Sequence, residues 1–207
     1  MSAPESVLDL VPVLPVVVVD DLATAVPVAR ALVDGGLSAI ELTLRTPVAL
    51  DALRLIAAEV PEIVLGAGTI TTPAQAEAAV AAGARFLVSP GSTPSLLAAM
   101  SATGVPFLPG TSTVSEVLAV LEAGLTEMKF FPAEAAGGAP YLTSVAGPLP
   151  QARFCPTGGI RPETAASYLA LPNVGCVGGS WLTPADALAA GDWERVRTLA
   201  AEAAALR

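Results

Sequence analysis

Lys129 is the only lysine in the chain, and it lies in the strongly apolar stretch of residues 128–132, whereas every other fixed cation is an arginine. An amine among large apolar side chains loses hydration, which disfavours its charged form. Arginine cannot deprotonate, so this pattern favours a lysine that attacks a carbonyl carbon and forms an imine. The alternative is a structural lysine near a strand end, with its stem buried and its ammonium group in solvent.

Polar residues alternate with apolar ones in the segment that follows residue 40. Glu41, Thr43 and Arg45 would share one face of a strand, because side chains in a strand repeat every two residues. If both faces are buried, all three side chains point inside and need partners or a ligand. Lys129 and Phe131 share a face in the same way, so we expect the Glu41 carboxylate and the Lys129 amine in one cavity. A structural Glu41–Arg45 pair is the alternative, although four residues of extended chain span about 13 Å.

Eight short β-branched runs alternate with alanine- and leucine-rich stretches at the spacing of strand–helix units. The predicted strands cover residues 14–19, 39–45, 63–69, 86–89, 106–108, 127–131, 153–157 and 175–180. The predicted helices lie near residues 22–34, 47–59, 73–82, 94–103, 113–123, 162–170 and 192–206. The Gly-, Ala- and Pro-rich segment 134–148 predicts a short or poorly marked helix. This alternation predicts an α/β fold, a (β/α)₈ TIM barrel in one domain spanning residues 1–207, with an open doubly wound sheet as the alternative.

Glycine-rich turns follow the last two predicted strands. The sequence TGG at residues 157–159 precedes a helix opened by Pro162, and the sequence GGS at residues 178–180 ends the eighth strand. Such turns expose backbone N–H groups beside positively polarised helix N-termini, so together they predict a phosphate site. Either turn could instead need glycine for its conformation alone. In the GAGT run at 66–69, Thr69 is the one side chain expected to face a ligand.

Composition excludes several classes of function. The net charge of −9 argues against a general nucleic-acid or anionic-membrane surface, although local arginines could hold one anionic ligand. The apolar run 11–19 contains two prolines and is too short to span a bilayer. With no histidine, and with Cys155 and Cys176 in separate apolar segments, we expect buried free thiols, no metal, no cofactor and a cytoplasmic location.

Six segments carry a resemblance to a known family. They are ELTLRT at residues 41–46, GAGT at 66–69, VSPG at 88–91, KFFPAE at 129–134, FCPTGGI at 154–160 and GGSW at 178–181. In this order, and over nearly the whole chain, they resemble 2-keto-3-deoxy-6-phosphogluconate (KDPG) aldolase. This is the bacterial class I enzyme also described as acting on 4-hydroxy-2-oxoglutarate (KHG). The lysine segment followed by the PTGG turn is the most specific part.

The resemblance implies a (β/α)₈ barrel that forms a homotrimer, in which Lys129 forms the Schiff base and Glu41 moves protons. It also implies that Arg45 and Thr69 hold the substrate carboxylate and that Phe131 lines the pocket. The phosphate would be surrounded by residues of the two glycine-rich turns: Thr157, Gly158, Gly159 and Ser180. After the first strand some relatives are expected to carry basic residues, whereas this chain has Asp20 and Asp21. That difference concerns the charge near the rim.

The predicted function is therefore cleavage of KDPG to pyruvate and glyceraldehyde 3-phosphate, and of KHG to pyruvate and glyoxylate. The expected partners are a small keto acid and further copies of the chain, with no nucleic acid and no membrane. Three alternatives remain: an aldolase for the 6-phosphogalactonate epimer, a sugar-phosphate epimerase or decarboxylase, and a non-catalytic protein that binds a sugar acid phosphate.

Overall fold

Short parallel strands alternate with helices through residues 6–206, the part of the chain that the computed structural model describes. The strands are β1 (Val13–Val17), β2 (Ala39–Thr43), β3 (Val64–Gly68), β4 (Phe86–Val88), β5 (Phe107–Leu108), β6 (Gly110–Thr111), β7 (Glu127–Phe130), β8 (Arg153–Pro156) and β9 (Val177–Gly179). The helices are α1 (Ala25–Asp34), α2 (Ala49–Glu59), α3 (Pro73–Ala81), α4 (Pro94–Ala102), α5 (Val114–Glu122), α6 (Gly138–Ala146), α7 (Pro162–Leu169), α8 (Ala185–Ala190) and α9 (Trp193–Ala204). A short 3₁₀ helix, Leu22–Thr24, precedes α1.

The strands form two sheets in which the named pairs are parallel. The larger sheet has the order β5–β4–β3–β2–β1–β9, and the smaller has the order β6–β7–β8. Their registers align Val16 of β1 with Glu41 of β2, and Gly110 of β6 with Lys129 of β7. The prediction of an α/β fold with parallel strands is confirmed.

The strand pairing differs from the predicted single sheet of eight strands. The predicted fifth strand, residues 106–108, is observed as the two residues of β5, and a further strand of two residues, β6, follows on the other side of Pro109. A proline has no N–H to give to a ladder, so β5 pairs with β4 and β6 pairs with β7 without one continuous strand between them. Two isolated bridges, Phe154 with Val174 and Thr157 with Gly178, connect the segments of β8 and β9.

Two of the helices were predicted weakly or not at all. Helix α6 lies in the segment where the sequence predicts a poorly marked helix. It begins at Gly138, directly after Gly137, and both glycines have positive φ. Helix α8 has only six residues and comes directly after Pro184. Glycine and proline weaken any helix signal read from a sequence, because both are poor helix formers.

The core fills both faces of the strands. Every residue of β1, β2 and β3 is buried, and α1 adds a buried face that includes Val28, Ala29 and Leu32. Cys155 and Cys176 are buried and form no disulfide within residues 6–206, as predicted. Within residues 6–206, no helix is both long enough and apolar enough to cross a membrane.

An ion-pair network covers the amino ends of β7 and β8. Arg153 donates to Asp9 over 2.6 Å and to Glu127 over 2.9 Å, and Ser6 donates to the same Glu127 oxygen over 2.7 Å. Val7 and Leu8 are buried beside this network. The amino ends of these two strands are therefore covered. We expect a ligand at the carboxyl ends, where parallel α/β sheets bind their ligands.

Candidate active site

A buried amine and a buried carboxylate meet between the two sheets. Lys129 of β7 and Glu41 of β2 are 88 residues apart in sequence, and Lys129 Nζ donates to Glu41 Oε1 over 3.1 Å. Their side chains are only 4% and 1% exposed. The structure therefore brings together the two residues that the alternation of polar and apolar positions assigned to one cavity. A lysine with its ammonium group in solvent is excluded.

The contact between these two groups has a chemical consequence. A proton on Lys129 Nζ can pass directly to Glu41 Oε1, because the two atoms already share a hydrogen bond of ordinary length. The other carboxylate oxygen, Glu41 Oε2, is buried and has no hydrogen-bond partner among residues 6–206. A buried acceptor without a partner is costly, so this oxygen is a natural place for a substrate hydroxyl or a water.

Gly68, at the end of β3, gives the Glu41 carboxylate its space. A Cβ added to Gly68 would be 2.1 Å from Glu41 Oε1 and 2.7 Å from Glu41 Cδ. A contact that short is impossible, so any side chain here would push the carboxylate away from Lys129. The sequence indicated only Thr69 as a functional residue of the GAGT run, and it contains no signal that connects Gly68 with Glu41.

Gly68→Ala is expected to lower kcat/KM by about 10²-fold, the order of effect that a misplacement of 1 Å can have in an active site. The reason is that the new methyl group displaces the Glu41 carboxylate from the amine. Steady-state kinetics of pyruvate release would measure this. Gly91→Ala is the matched control, since a Cβ on Gly91 has no heavy atom within 4 Å among the described residues. Equal activity of the two variants would contradict the role given to Gly68.

The main chain and an aromatic ring fix Lys129 from other sides. Lys129 N donates to Pro109 O over 3.0 Å, and the buried Thr111 hydroxyl donates to Lys129 O over 3.2 Å. Lys129 Nζ lies 5.5 Å from the centroid of the Phe131 ring, which is partly exposed. Phe131 thus forms an apolar wall beside the amine.

Arg45 does not lie inside the fold, contrary to the prediction that three polar side chains of one strand point inward. Glu41 and Thr43 are buried, and the Thr43 hydroxyl donates to Val17 O over 3.0 Å. The strand ends at Thr43, because Arg45 N donates back to Thr43 O over 2.9 Å in a tight turn. Arg45 is exposed, and its Nε donates to Thr69 Oγ1 over 3.1 Å. The arginine is therefore available at the rim, and the alternative Glu41–Arg45 pair does not form.

Thr69 has an unusual backbone for its residue type. Its φ of 62° lies in the left-handed region, which a β-branched residue rarely adopts. Strained residues of this kind cluster at functional sites, where the surrounding structure holds them. In this conformation Thr69 presents its hydroxyl to Arg45, and the sequence contains no signal for this backbone.

Thr69→Gly is expected to raise KM for the keto acid about 10-fold without lowering the melting temperature. The loss of the hydroxyl frees Arg45 from a hydrogen bond of roughly 1–2 kcal/mol. Glycine adopts the left-handed backbone without strain, which stabilises the folded protein by about 1–2 kcal/mol. This gain offsets the additional backbone entropy that glycine loses on folding, roughly 0.5–1 kcal/mol. Kinetics and thermal unfolding would be measured for Thr69→Gly and for Thr69→Ala, which keeps the strain. An unchanged KM in both variants would show that the Arg45–Thr69 bond does not position substrate.

The two glycine-rich turns meet beside the carboxyl ends of β8 and β9. Gly158 and Gly159 have φ of 103° and 82°, and their N–H groups donate no hydrogen bond among residues 6–206. Thr157 is buried against Gly178, where an added Cβ would be 2.2 Å from Thr157 Oγ1. Free amides ahead of the N-terminus of α7 have the polarity to receive an anion.

Ser180 lies at the rim next to these turns. It is exposed and lines a cavity of about 470 Å³ together with Asp20, Asp21, Thr24 and Thr183. The carboxylates of Asp20 and Asp21 thus contribute negative charge near the predicted phosphate site. In the described part of the chain, no three His, Cys, Asp or Glu side chains are grouped so that they could hold a metal ion.

Comparison with known proteins decides the family. A family model described as KDPG and KHG aldolase matches residues 5–199. The chain belongs to the KDPG and KHG aldolase family. The resemblance carried by the six sequence segments is confirmed, and so is the prediction that the protein is an aldolase, a carbon–carbon lyase.

Relatives of this aldolase family match along nearly their whole length. The KHG/KDPG aldolase of Escherichia coli (strain K12) is 54% identical over 202 residues, which are 98% of this chain and 95% of that protein. A crystal structure of KDPG aldolase from Legionella pneumophila holds pyruvate captured at low pH as a covalent carbinolamine intermediate. It is 46% identical, with a TM-score of 0.94 over 96% of each chain. A crystal structure of the KDPG aldolase of Zymomonas mobilis ZM4 with 3-phosphoglycerate is 47% identical, with a TM-score of 0.92 over 98% of this chain and 95% of that one.

Proposed function

We propose that this protein cleaves KDPG to pyruvate and glyceraldehyde 3-phosphate through a Schiff base on Lys129, and cleaves KHG to pyruvate and glyoxylate by the same route. The observation that carries the proposal is the buried contact of Lys129 Nζ with Glu41 Oε1. The covalent carbinolamine of the Legionella pneumophila relative supports it, because this intermediate precedes an imine.

The first half of the reaction forms the imine. Glu41 takes a proton from Lys129, and the neutral amine attacks the C2 ketone of the substrate. The resulting carbinolamine hydroxyl receives the proton held by Glu41 and leaves as water. The product is an iminium at C2 and a regenerated Glu41 carboxylate, so one residue serves as base and then as acid.

The second half breaks the C3–C4 bond. The Glu41 carboxylate removes the proton of the C4 hydroxyl, and the electrons of the C3–C4 bond move into the iminium to give an enamine. The aldehyde departs, C3 of the enamine is protonated, and water hydrolyses the new iminium to release pyruvate. Glu41 Oε2, which has no hydrogen-bond partner in the described part of the chain, is the acceptor that the C4 hydroxyl needs.

The remaining site residues orient the substrate. Arg45, with Thr69 beside it, holds the pyruvyl carboxylate through charged hydrogen bonds and so fixes C2 against the amine. Phe131 forms the apolar wall near Lys129. The phosphate group, at the other end of the substrate from the carboxylate, is bound by the turn after β8 and by the residue that follows β9: Thr157, Gly158, Gly159 and Ser180. The 3-phosphoglycerate in the Zymomonas mobilis relative supports a place for a phosphorylated three-carbon compound.

The assembly and fold follow from the same proposal. We infer that residues 1–207 form one domain in which the two sheets close into a (β/α)₈ barrel. This is supported by the bridge between Thr157 and Gly178, and by Pro109, the single residue that separates β5 of one sheet from β6 of the other. We also infer a cytoplasmic homotrimer. Val114 and Leu118, one turn apart on α5, are 42% and 44% exposed and offer an apolar surface to another copy. Light scattering should give three times the chain mass of 20.7 kDa.

The test of the proposed reaction is product analysis. KDPG, its 6-phosphogalactonate epimer and KHG would each be incubated with the enzyme, with and without a metal chelator. The expected result is equimolar pyruvate and aldehyde from KDPG and KHG, unaffected by the chelator. Release of carbon dioxide, or an epimerised sugar acid without pyruvate, would overturn the proposal. Cleavage of the galactonate epimer alone would move the substrate to that epimer.

A further inference from the structure

Glu134 and Tyr168 form a hydrogen bond that joins the segment after β7 to helix α7. The Tyr168 hydroxyl donates to Glu134 Oε1 over 2.6 Å, and Tyr168 is only 1% exposed. Glu134 ends the KFFPAE segment that begins with Lys129. Helix α7 begins at Pro162, shortly after the turn of residues 157–159. The Glu134–Tyr168 pair thus links the segments that carry the imine-forming and phosphate-binding groups.

Main-chain contacts place Glu134 directly against the phosphate-binding turn. Ala133 N donates to Thr157 O over 2.8 Å, and Glu134 N donates to Gly158 O over 3.1 Å. Gly159 also lies close, since a Cβ added to it would be 2.8 Å from Glu134 Cβ. A movement of Glu134 would therefore move the carbonyl of Gly158 and the space around Gly159.

Tyr168 is a fixed donor in this contact. Burial and the hydrogen bond to Glu134 raise the pKa of Tyr168, so the phenol keeps its proton. The Glu134 carboxylate can only accept, and a bond from a hydroxyl to a charged oxygen is among the stronger hydrogen bonds. The bond also holds the negatively charged Glu134 carboxylate on the side that faces α7.

We propose that Glu134 and Tyr168 are positioning residues that fix the Gly158–Gly159 turn for the phosphate, and so set the preference for phosphorylated over unphosphorylated keto acids. This inference rests on the proposed function. Neither side chain contacts Lys129 or Glu41 through a hydrogen bond, so the pair acts on substrate through the turn. Breaking the bond weakens phosphate binding in two ways. It loosens the turn, and it frees a carboxylate close to an anion site.

Two substitutions separate these contributions. Tyr168→Phe removes the hydroxyl and keeps the ring, whereas Glu134→Gln keeps an acceptor oxygen and removes the charge. Tyr141→Phe is the matched control, because Tyr141 is the other of the two tyrosines. Its ring stacks on Phe130 with centroids 5.1 Å apart, and its hydroxyl is buried without a hydrogen-bond partner among residues 6–206. The kcat and KM for KDPG and for KHG would be measured for wild type and all three variants.

Tyr168→Phe is expected to raise KM for KDPG about 10-fold, the effect of losing one charge-assisted hydrogen bond, with little change in kcat. KHG carries no phosphate, so its KM should stay at the wild-type value. Glu134→Gln keeps a weaker, neutral hydrogen bond and should raise KM for KDPG less than Tyr168→Phe does, again without changing KM for KHG. Tyr141→Phe should remain close to wild type for both substrates. Equal changes in KM for KDPG and KHG, or no change for either, would overturn the positioning role.

A second measurement does not depend on turnover. The amide resonances of Gly158 and Gly159 would be titrated with inorganic phosphate in wild type, Tyr168→Phe and Tyr141→Phe. The positioning role predicts affinity about 10-fold weaker in Tyr168→Phe alone. If wild type cleaved neither substrate, the proposed reaction would fall, and this titration would still decide the positioning role. The positioning role would be overturned by equal phosphate affinities of wild type and Tyr168→Phe, or by resonances of Gly158 and Gly159 that do not shift in wild type.

Discussion

Lys129→Ala is expected to lower kcat for KDPG cleavage by at least about 10⁴-fold, the order of loss seen when a covalent nucleophile is removed. The chain has no second lysine that could take over. Lys129→Arg should be equally inactive, because a guanidinium group keeps the positive charge but cannot deprotonate to attack a ketone. The measurement is pyruvate release under saturating KDPG.

The control for this prediction addresses folding. Lys129 is half of a buried ion pair, and removing one partner of such a pair can destabilise a protein by about 3–5 kcal/mol. Lys129→Met fills similar space without charge, so its circular dichroism and melting temperature show whether the site tolerates a neutral side chain. A folded Lys129→Arg variant that turned over near the wild-type rate would refute the imine.

Glu41→Gln is the second large effect, with kcat expected to fall by about 10²–10⁴-fold, the usual contribution of a general acid–base group. The amide can still accept a hydrogen bond from Lys129, but it cannot take a proton. The variant should therefore form the imine with pyruvate slowly, with water replacing Glu41 in the proton transfers, and be slowest in the step that breaks the C3–C4 bond. Single-turnover kinetics would separate these stages.

Glu127→Gln is the matched control for Glu41→Gln. Glu127 also accepts a hydrogen bond from a cationic side chain, Arg153, but at the amino end of β7. Loss of that carboxylate should lower the melting temperature and leave kcat near its wild-type value. If both variants lost activity to the same degree, the effect of Glu41→Gln would reflect damage to the fold and not to the chemistry.

The sequence was informative where the two-residue period of a strand determines which way a side chain points. The two-residue strand period assigned Lys129 and Glu41 to a common interior, and the structure brings them within 3.1 Å. The same period cannot give the distance between strands that are far apart in sequence. That distance depends on how the sheets curve and on the absence of a side chain at Gly68, which three-dimensional contacts alone reveal.

Predictions failed where a local backbone feature overrode the period. The second strand was extended to Arg45, but the tight turn from Thr43 to Arg45 ends it earlier and sends the arginine to the rim. The predicted fifth strand, residues 106–108, likewise missed β6, which lies beyond Pro109. The left-handed conformation of Thr69 has no signature in residue type, since threonine is among the residues least expected there. The Glu134–Tyr168 pair joins residues 34 apart, and no motif predicts it.

Borohydride reduction in the presence of pyruvate tests the central claim most directly. Lys129, buried against Glu41, should gain the mass of one reduced pyruvyl group, and peptide mapping should locate that group on the segment containing residues 129–134. Lys129→Arg should gain nothing, while Glu41→Gln should be labelled at the same residue but more slowly than wild type. An unlabelled wild type, or a label on the N-terminal amine alone, would contradict the imine mechanism.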